Sequence, residues 1–264
     1  DSLRTLQENI DANLKPISFP IENQSLELAV SLDEKSFPSK NVIGWIEGSD
    51  AKLKKEFVVV GGHYDHIGVS DLANHLNDSI MNGADDNASG TAAVMAIAKA
   101  FSKSGKKPAR SLVFILFTAE ERGLLGSTYY TNNPLFPLDK TVGMINMDMV
   151  GRNGTDTLYV VGEKYNPELT KLVNAEIPEA GLKKEEMSFD LYQSSDYYPF
   201  YKKGISAIGF TSGLHNDYHR VGDNPDKINH TKVRKIAQLG YRVAWKMANS
   251  NNYFSIIEPE KNKK

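Results

Sequence analysis

Apolar residues along this chain follow two spacings, one typical of buried strands and one typical of helices. Residues 57–60 and 111–118 are largely continuous apolar runs, as in strands that are buried on both faces. Other strands are predicted at 26–30, 42–46, 142–147, 157–161 and 205–210. From Ala88 to Phe101 apolar residues recur on one helical face. Further helices are predicted at 3–14, 121–130, 166–178, 195–203 and 231–249.

The order of these elements predicts the class of fold. Strands and helices alternate with short links over most of the 264 residues. Such alternation predicts an α/β fold with a mixed, largely parallel central β-sheet between helices. Residues 66–84 are rich in Asn, Asp and Gly, and we expect them to form a loop.

Composition limits the classes of function. The formal net charge is −2, with 40% hydrophobic and 24% charged residues, so nothing favours a nucleic acid or an anionic membrane as partner. No apolar run approaches the roughly 18 residues of a membrane helix. The chain has no cysteine, which excludes disulfides, thiolate metal sites and a cysteine nucleophile. Any bound metal must therefore be held by His, Asp and Glu.

Acidic and histidine residues gather where the predicted strands end. In an open α/β sheet, ligands bind beyond the carboxyl ends of the strands. The residues at such ends, or in loops beside them, are His63, Asp65, Asp86, Glu120, Glu121, Asp148 and His219. Each has an ordinary explanation alone, since Asp before a helix is commonly an N-cap and Glu in a first turn offsets the helix dipole. Their joint occurrence at one edge of the sheet favours a functional site.

This set matches the ligands that a two-zinc hydrolytic site requires. Two zinc ions about 3.5–4 Å apart repel each other, and carboxylates must offset the repulsion. Two neutral imidazoles and three carboxylates, one of them bridging, supply three negative charges against four positive ones, and a bridging hydroxide supplies the fourth. The chain offers His63 and His219 as imidazoles, and Asp86, Glu121 and Asp148 as carboxylates.

Two acids remain outside that set of ligands. Glu120 adjoins Glu121, which is where a general base for the metal-bound water would lie. Asp65 follows His63 by two residues. It could accept the other N–H of the imidazole, which would fix the tautomer of the ring.

Six segments, in their order and rough spacing, resemble the di-zinc aminopeptidase family: HYDHIG, NGADDNASG, FTAEERGLLGS, NMDMVGR, SSDYYPF and HNDYHRVGDNPDKI. That family includes secreted bacterial leucyl-type aminopeptidases, and its wider membership includes glutamate carboxypeptidases and glutaminyl cyclases. The resemblance runs from about Val42 to about Ala248. It implies the zinc-exopeptidase fold, which is phosphorylase/hydrolase-like, and a metallo-aminopeptidase acting on peptides with a free N-terminus.

The resemblance also implies a role for each candidate ligand. His63, Asp86 and Asp148 would bind one zinc ion, and Asp86, Glu121 and His219 would bind the other. Asp86 would bridge the two Zn²⁺ ions because it is the second acid of the family's GADD motif.

The reaction that the resemblance implies uses a di-zinc-bound hydroxide. Glu120 would act as general base and then as general acid toward the leaving amine. The peptide bond between Asp86 and Asn87 would be cis, as in relatives. Tyr218 either bonds the developing oxyanion, as in some relatives, or is a packed loop tyrosine, and both interpretations stay open.

Other activities on the same scaffold also stay open. The sequence does not show which end of a substrate is bound, so a dipeptidase or a carboxypeptidase is the alternative. Arg152 would either pair with a structural acid or bind a substrate carboxylate. A non-catalytic, receptor-like domain is disfavoured, because the five ligands and Glu120 are all present.

Several residues near the motifs receive no role in this hypothesis. Tyr197 stands where relatives often have the histidine of an SDH motif. Ser195 lacks the Gly-x-Ser-x-Gly context of a serine nucleophile. The four histidines outside the ligand set are interpreted as surface or loop residues: His66, His75, His215 and His230.

The extent of the resemblance leads to an expectation about the whole protein. Residues 1–264 are expected to form a single catalytic domain, of which residues 1–40 match least well and contribute a helix and a strand. Many relatives carry a protease-associated domain upstream, so we expect the natural protein to be longer. Relatives are mostly exported, which implies a periplasmic or extracellular location, with no nucleic acid partner and no membrane span.

Overall fold

The computed structural model describes residues 2–20, 22, 25, 27–32, 36–69, 78–187 and 190–257. The chain divides into two units, Asp1–Pro38 and Ser39–Lys264. The first unit contains helix α1 (Ser2–Asn13), close to its predicted bounds. The strand predicted at 26–30 is wrong over residues 27–30, which have no regular structure, while Leu26 lies outside the described residues. Leu28 and Val30 are exposed, so the alternating pattern there buries neither of them.

The second unit is built on strands. In the described part of the chain they are β1 (Val42–Ile46), β2 (Phe57–His63), β3 (Gly68–Val69), β4 (Ile80–Met81), β5 (Ser111–Phe117), β6 (Thr141–Met147), β7 (Thr157–Val161), β8 (Lys183–Lys184) and β9 (Ala207–Thr211). Seven of these form one sheet in the order β1-β5-β2-β6-β9-β7-β8, and β3 pairs with β4 separately. The central strands β5, β2, β6 and β9 run parallel, whereas β1 and β7 pair antiparallel with their neighbours β5 and β9. The predicted mixed, largely parallel sheet is thus confirmed.

Helices flank this sheet. In the second unit these helices are α2 (Gly90–Lys103), α3 (Leu125–Asn132), α4 (Pro167–Glu176), α5 (Tyr197–Lys202) and α6 (His230–Asn249). A kinked segment, Ala84–Ser89, leads directly into α2, and its residues Asp86 and Asn87 have non-helical backbone angles. Most predicted helices are confirmed within a few residues. The helix predicted at 121–130 begins later, at Leu125, because a tight turn follows Glu120.

Successive residues of β2 face opposite sides of the sheet, which explains the continuous apolar run. Val58 and Val60 pack with the core that includes residues of α2 and α6. Phe57 and Val59 pack with the core that includes Phe200 of α5. A strand covered on both faces must be apolar at every position. The sheet therefore lies between two apolar layers, as the sequence pattern predicts.

The start of α2 lies unusually close to the sheet. A Cβ atom on Gly62 would lie 2.7 Å from the carbonyl oxygen of Met147, and a Cβ on Gly90 would lie 2.3 Å from the same oxygen. At Gly90 the lack of a side chain permits α2 to approach Met147 of β6, and at Gly62 it permits β2 to lie close to the same residue; neither glycine is required by a turn. The approach brings the segment before α2 to the carboxyl ends of β2 and β6.

No helix among the residues that the structure describes is long and apolar enough to span a bilayer.

Replacement of Ile145 by alanine tests the assignment of the central strand. Ile145 is fully buried in β6, so Ile145→Ala is expected to lower the free energy of unfolding by about 2–5 kcal/mol, through lost burial and the cavity left behind. Ile80→Ala, at an exposed position in β4, is the control and should change it by no more than about 0.5 kcal/mol. Urea unfolding measures both. Equal losses for the two variants would contradict the assignment.

Candidate metal centre at the carboxyl edge of the sheet

The parallel strands bring the candidate residues to one edge of the sheet. His63 is the last residue of β2, Asp148 follows β6, and His219 lies in the loop after β9. Asp86 lies in the kinked segment before α2, and Glu120 and Glu121 follow β5. One cleft is lined by five of these candidates together with Tyr218, and His219 contacts two of the five. Among the described residues that line it there is no lysine or arginine.

The two carboxylate oxygens of Asp86 face two different groups. Oδ1 lies 3.3 Å from Nε2 of His63, and that nitrogen lies 3.4 Å from Oδ1 of Asp148. Oδ2 lies 3.1 Å from Nε2 of His219, and that nitrogen lies 3.2 Å from Oε2 of Glu121. We call His63, Asp86 and Asp148 the first half-site, and Asp86, Glu121 and His219 the second half-site. Asp86 is the member that they share.

These separations fit a tetrahedral metal ion. Ligand atoms about 2.0–2.1 Å from zinc in a tetrahedral site are about 3.3–3.4 Å from each other. The four separations in the two half-sites range from 3.1 to 3.4 Å. In addition, Nε2 of His219 is buried and makes no hydrogen bond within the described residues, despite lying near two carboxylates. Nitrogen and oxygen donors of this kind suit zinc, so the residues fit the group that the resemblance implies.

The cleft concentrates negative charge away from water. Burial, with Asp148 beside it, raises the pKa of Glu120 to about 9. Burial alone would lower the pKa of His63, but Asp148 and Asp86 outweigh this and raise it well above its ordinary value. Neighbouring carboxylates contribute to both shifts, as the second cause after burial for Glu120 and against burial for His63. A bound cation would offset this negative charge.

The carboxylate of Asp65 holds the backbone of the turn after β5 rather than the ring of His63. Its Oδ1 lies 3.7 Å from Nδ1 of His63, beyond hydrogen-bond distance, whereas the backbone carbonyl of Asp65 lies 3.1 Å from that nitrogen. The carboxylate instead accepts the backbone N–H groups of Glu120 and Glu121, at 3.1 and 3.3 Å. The predicted contact with the ring is therefore made by the backbone carbonyl.

The other carboxylates are also held by hydrogen bonds. Ser195 donates its hydroxyl to Oδ2 of Asp148 at 2.6 Å, and Asn146 donates to Ser195 at 2.8 Å. Ser195 thus leaves Oδ1 of Asp148 to face His63. This contact gives Ser195 a place beside a candidate ligand and is consistent with the rejection of a serine nucleophile.

The segment that carries Asp86 is fixed by an acid for which the sequence predicted no role. Asp223 is buried, and its carboxylate accepts the backbone N–H groups of Asp85 and Asp86, each at 3.0 Å. Asp85 accepts the N–H of Gly151 at 2.6 Å. The Asp86–Asn87 peptide bond is cis, as the resemblance implies. Asp85, the acid passed over for the bridge, therefore has a structural contact of its own.

Arg152 pairs with acids of the protein. Its guanidinium lies 2.6 Å from Oδ2 of Asp217 and 3.6 Å from Oδ1 of Asp223. Asp217 also accepts from Lys227 at 3.0 Å. Of the two interpretations of Arg152, pairing with structural acids is the one that the geometry supports.

Two tyrosines line the cleft beside the half-sites. The ring of Tyr218 stacks on His219 with centroids 3.8 Å apart, and burial with Asp86 nearby raises the pKa of Tyr218 above its ordinary value. The hydroxyl of Tyr197 donates to the carbonyl of Leu191 at 2.5 Å. In the position of the family histidine, Tyr197 therefore packs into the wall of the cleft.

The remaining histidines are predicted to be surface or loop residues, and His66 and His215 do lie in loops, but the side chains of both are largely shielded from solvent. The side chain of His66 is 9% exposed and lies against the second half-site, and that of His215 is 3% exposed and lies 3.4 Å from Asp85. His230 is exposed, as predicted. His75 lies outside the described residues. The placement of His66 next to His63 in the HYDHIG segment was the only sequence signal of its position.

Backbone conformation at the site departs from the usual range. Ala119, Met149 and His219 have φ values of 53°, 58° and 54°, in the left-handed region. Ala119 precedes Glu120, and Met149 follows Asp148. Such conformations cost about 1–3 kcal/mol each and persist where the surrounding structure imposes them, often at functional sites.

Comparison with known proteins finds peptidases. The model for Peptidase family M28 matches residues 41–244, more than half of the chain. Leupeptin-inactivating enzyme 1 of Streptomyces exfoliatus is 37% identical over 156 residues, which are 58% of this chain and 34% of that protein. A probable glutamate carboxypeptidase of Arthroderma benhamiae is 25% identical over 257 residues, covering 85% and 33%. The solved aminopeptidase from Aneurinibacillus sp. strain AM-1 has a TM-score of 0.64 at 28% identity, covering 83% and 50%. The chain spans half or less of the length of each of these three proteins.

Removal of the Asp223 carboxylate tests its role in holding Asp86. In Asp223→Ala, two buried backbone N–H groups lose their acceptor, so the free energy of unfolding should fall by about 1–3 kcal/mol or more. Asp226→Ala, an exposed acid three positions along the same loop, is the matched control and should be near neutral. Chemical denaturation of both variants measures the difference. A loss of the same size in the control would show that the loop, and not this carboxylate, is responsible.

Proposed function

Because this chain belongs to Peptidase family M28, we propose that it is a zinc-dependent aminopeptidase that hydrolyses the N-terminal peptide bond of peptides. The observation that carries the proposal is the division of the cleft into two half-sites that share Asp86. Four carboxylates and two imidazoles meet there without a lysine or arginine among the described lining residues. Such a set is suited to hold cations.

The proposed ligands are the five side chains of the two half-sites. His63 and Asp148 would hold one zinc ion, Glu121 and His219 would hold the second, and Asp86 would contact both. When bound, zinc polarises a substrate carbonyl and lowers the pKa of a coordinated water. Two observations support this assignment: the chain is similar to zinc peptidases, and the donor atoms have the spacing of a tetrahedral site.

Glu120 is proposed as the general base. It lies within the group formed with His63 and Asp148 and lines the same cleft. Its carboxylate would take a proton from the attacking water and pass it to the nitrogen of the leaving amine. Asp65 supports this role through its hydrogen bond from the backbone N–H of Glu120, which fixes where the side chain begins. Tyr218, at the cleft wall, is proposed to donate its hydroxyl to the oxyanion.

Charge distribution favours an aminopeptidase over a carboxypeptidase. A substrate carboxylate needs a cationic partner, usually Arg. The described lining of the cleft offers none, and Arg152 is paired with Asp217. A free amine is instead attracted to carboxylates. Carboxypeptidase activity is the second candidate, because one similar protein is named as a probable glutamate carboxypeptidase.

Apolar side chains form the rest of the cleft wall. Met149, Val161, Phe210 and Leu214 line it beside the half-sites. An apolar wall gains stability by burying an apolar substrate group. We therefore propose that aliphatic or aromatic N-terminal residues are preferred.

Export from the cytoplasm, implied by the resemblance, remains a prediction that cell fractionation would test.

A panel of substrates tests which end of the peptide is recognised. Zinc-loaded protein should cleave leucyl-anilide, whose amine is free, and leave N-acetyl-leucyl-anilide and N-blocked dipeptides intact. A chelator should abolish the cleavage and added zinc should restore it. Cleavage of N-blocked dipeptides with a free carboxylate would instead favour the carboxypeptidase candidate. Absence of bound metal in the purified protein would contradict the proposal as a whole.

Replacement of Glu120 tests the general base. Glu120→Gln keeps the size of the side chain but cannot accept the proton, so kcat should fall by about 10²–10⁴-fold. Zinc content should remain that of the wild type, because Glu120 is outside the proposed ligand set. Glu47→Gln, at a half-exposed position, is the control and should leave kcat unchanged. Loss of zinc from Glu120→Gln would indicate a ligand rather than a base.

A further inference from the structure

His66 lies against the second half-site, although the function proposed above does not use it. Its Nδ1 lies 2.8 Å from Oε1 of Glu121 and 3.8 Å from Oδ2 of Asp86. Its ring meets the ring of His219 edge-on, with centroids 5.8 Å apart. The side chain is nine-tenths buried. A buried imidazole that contacts every member of one half-site is placed to act on that half-site.

The polar atoms of this contact lack hydrogen-bond partners. Neither nitrogen of His66 makes a hydrogen bond with a described residue, and the same holds for Oε1 of Glu121. Buried polar atoms without partners are unfavourable and rare in folded proteins. The nitrogens of His66 and Oε1 of Glu121 can therefore each still form a hydrogen bond or bind an ion.

The distances distinguish a positioning residue from a metal ligand. The 2.8 Å separation between Nδ1 and Oε1 of Glu121 is within the range of an N–H···O hydrogen bond, although the two groups are not aligned for one in this structure. A hydrogen bond between them therefore needs reorientation of the groups and no closer approach. The same separation is shorter than the about 3.3–3.4 Å between two ligands of one zinc ion. The 3.8 Å separation from Asp86 is longer than that spacing. His66 therefore fits a hydrogen bond to Glu121 better than a place in the ligand set.

The two terminal carboxylates have matching surroundings. Asp148 turns Oδ1 toward the imidazole of His63, while Oδ2 is held by the hydroxyl of Ser195. Glu121 turns Oε2 toward the imidazole of His219, while Oε1 lies beside His66. In each half-site one oxygen faces the proposed ion and the other faces a side chain of the protein. His66 has the place in the second half-site that Ser195 has in the first.

We propose that His66 is a positioning residue for Glu121. Its Nδ1–H donates to Oε1, which holds the carboxylate in place and leaves Oε2 for the ion of the second half-site. Hydrogen bonds to metal-binding carboxylates orient the ligand, and their removal lowers metal affinity by about 10–100-fold. The inference rests on the proposed function, and it predicts that the two ions respond differently to loss of His66.

Zinc titration of His66 variants against a chromophoric chelator tests this. His66→Ala should still bind two zinc ions, with the affinity for one lowered about 10–100-fold and that for the other unchanged. His66→Asn can place an amide N–H near the position of Nδ1 and should recover part of the loss. His230→Ala, at an exposed position, is the matched control and should bind both ions as the wild type does. Circular dichroism checks that each variant is folded.

Cobalt substitution separates positioning from direct ligation. If His66 only positions Glu121, the visible absorption bands of the fully loaded cobalt protein should keep their energies in His66→Ala. A shift that shows the loss of a nitrogen ligand would overturn the proposal, and so would unchanged zinc affinities or an equal loss at both half-sites. Two zinc ions in the wild type with unaltered variants would contradict only this inference. A wild type that binds no zinc would overturn the proposed function as well.

Discussion

Electrostatic repulsion among four carboxylates, one buried and three partly buried, is the constraint on which the rest of this structure depends. Asp86, Glu120, Glu121 and Asp148 meet in one cleft whose described lining contains no lysine or arginine. Charges removed from water repel strongly, and a protein tolerates them only with cations or hydrogen bonds. Burial is the main cause of the raised pKa of Glu120, and repulsion from Asp148 adds to it. The charge excess that disfavours the cleft without a cation would favour the ions that we propose it to hold.

The surrounding residues fix the positions of these carboxylates by hydrogen bonds. Asp65 and Asp223 accept backbone N–H groups, so each immobilises a stretch of main chain that carries a candidate ligand. Ser195 binds a side-chain oxygen, as we infer for His66. Each device removes freedom from a carboxylate without supplying positive charge to it. The half-sites therefore keep their attraction for a cation while their geometry is set in advance.

The sequence predicted the parts of the site that follow from the sheet and missed the parts that follow from loops. Asp148 and His63 could be placed because continuous apolar runs mark β6 and β2, and parallel strands end at one edge. His66 was expected in a loop, where it lies, but its burial could not be predicted because it depends on the path of a loop without periodic spacing. Asp223 bonds the backbone of a residue 138 positions earlier in the chain, and no local pattern reports such a contact. The strand predicted at 26–30 failed because alternation alone provides no partner strand.

The ligand set is also spread widely along the chain. His63 closes β2 near the beginning of the second unit, whereas His219 follows β9 and comes after most of it. A nascent chain released before β9 has paired with β6 would lack a complete second half-site, however well its earlier strands had folded. An ion held by the second half-site, as we propose, would therefore bind only once β9 and the loop after it are in place, and by mass action it would stabilise that state over earlier ones. Binding at the proposed second half-site would thereby report that the last strand of the parallel part of the sheet has been added.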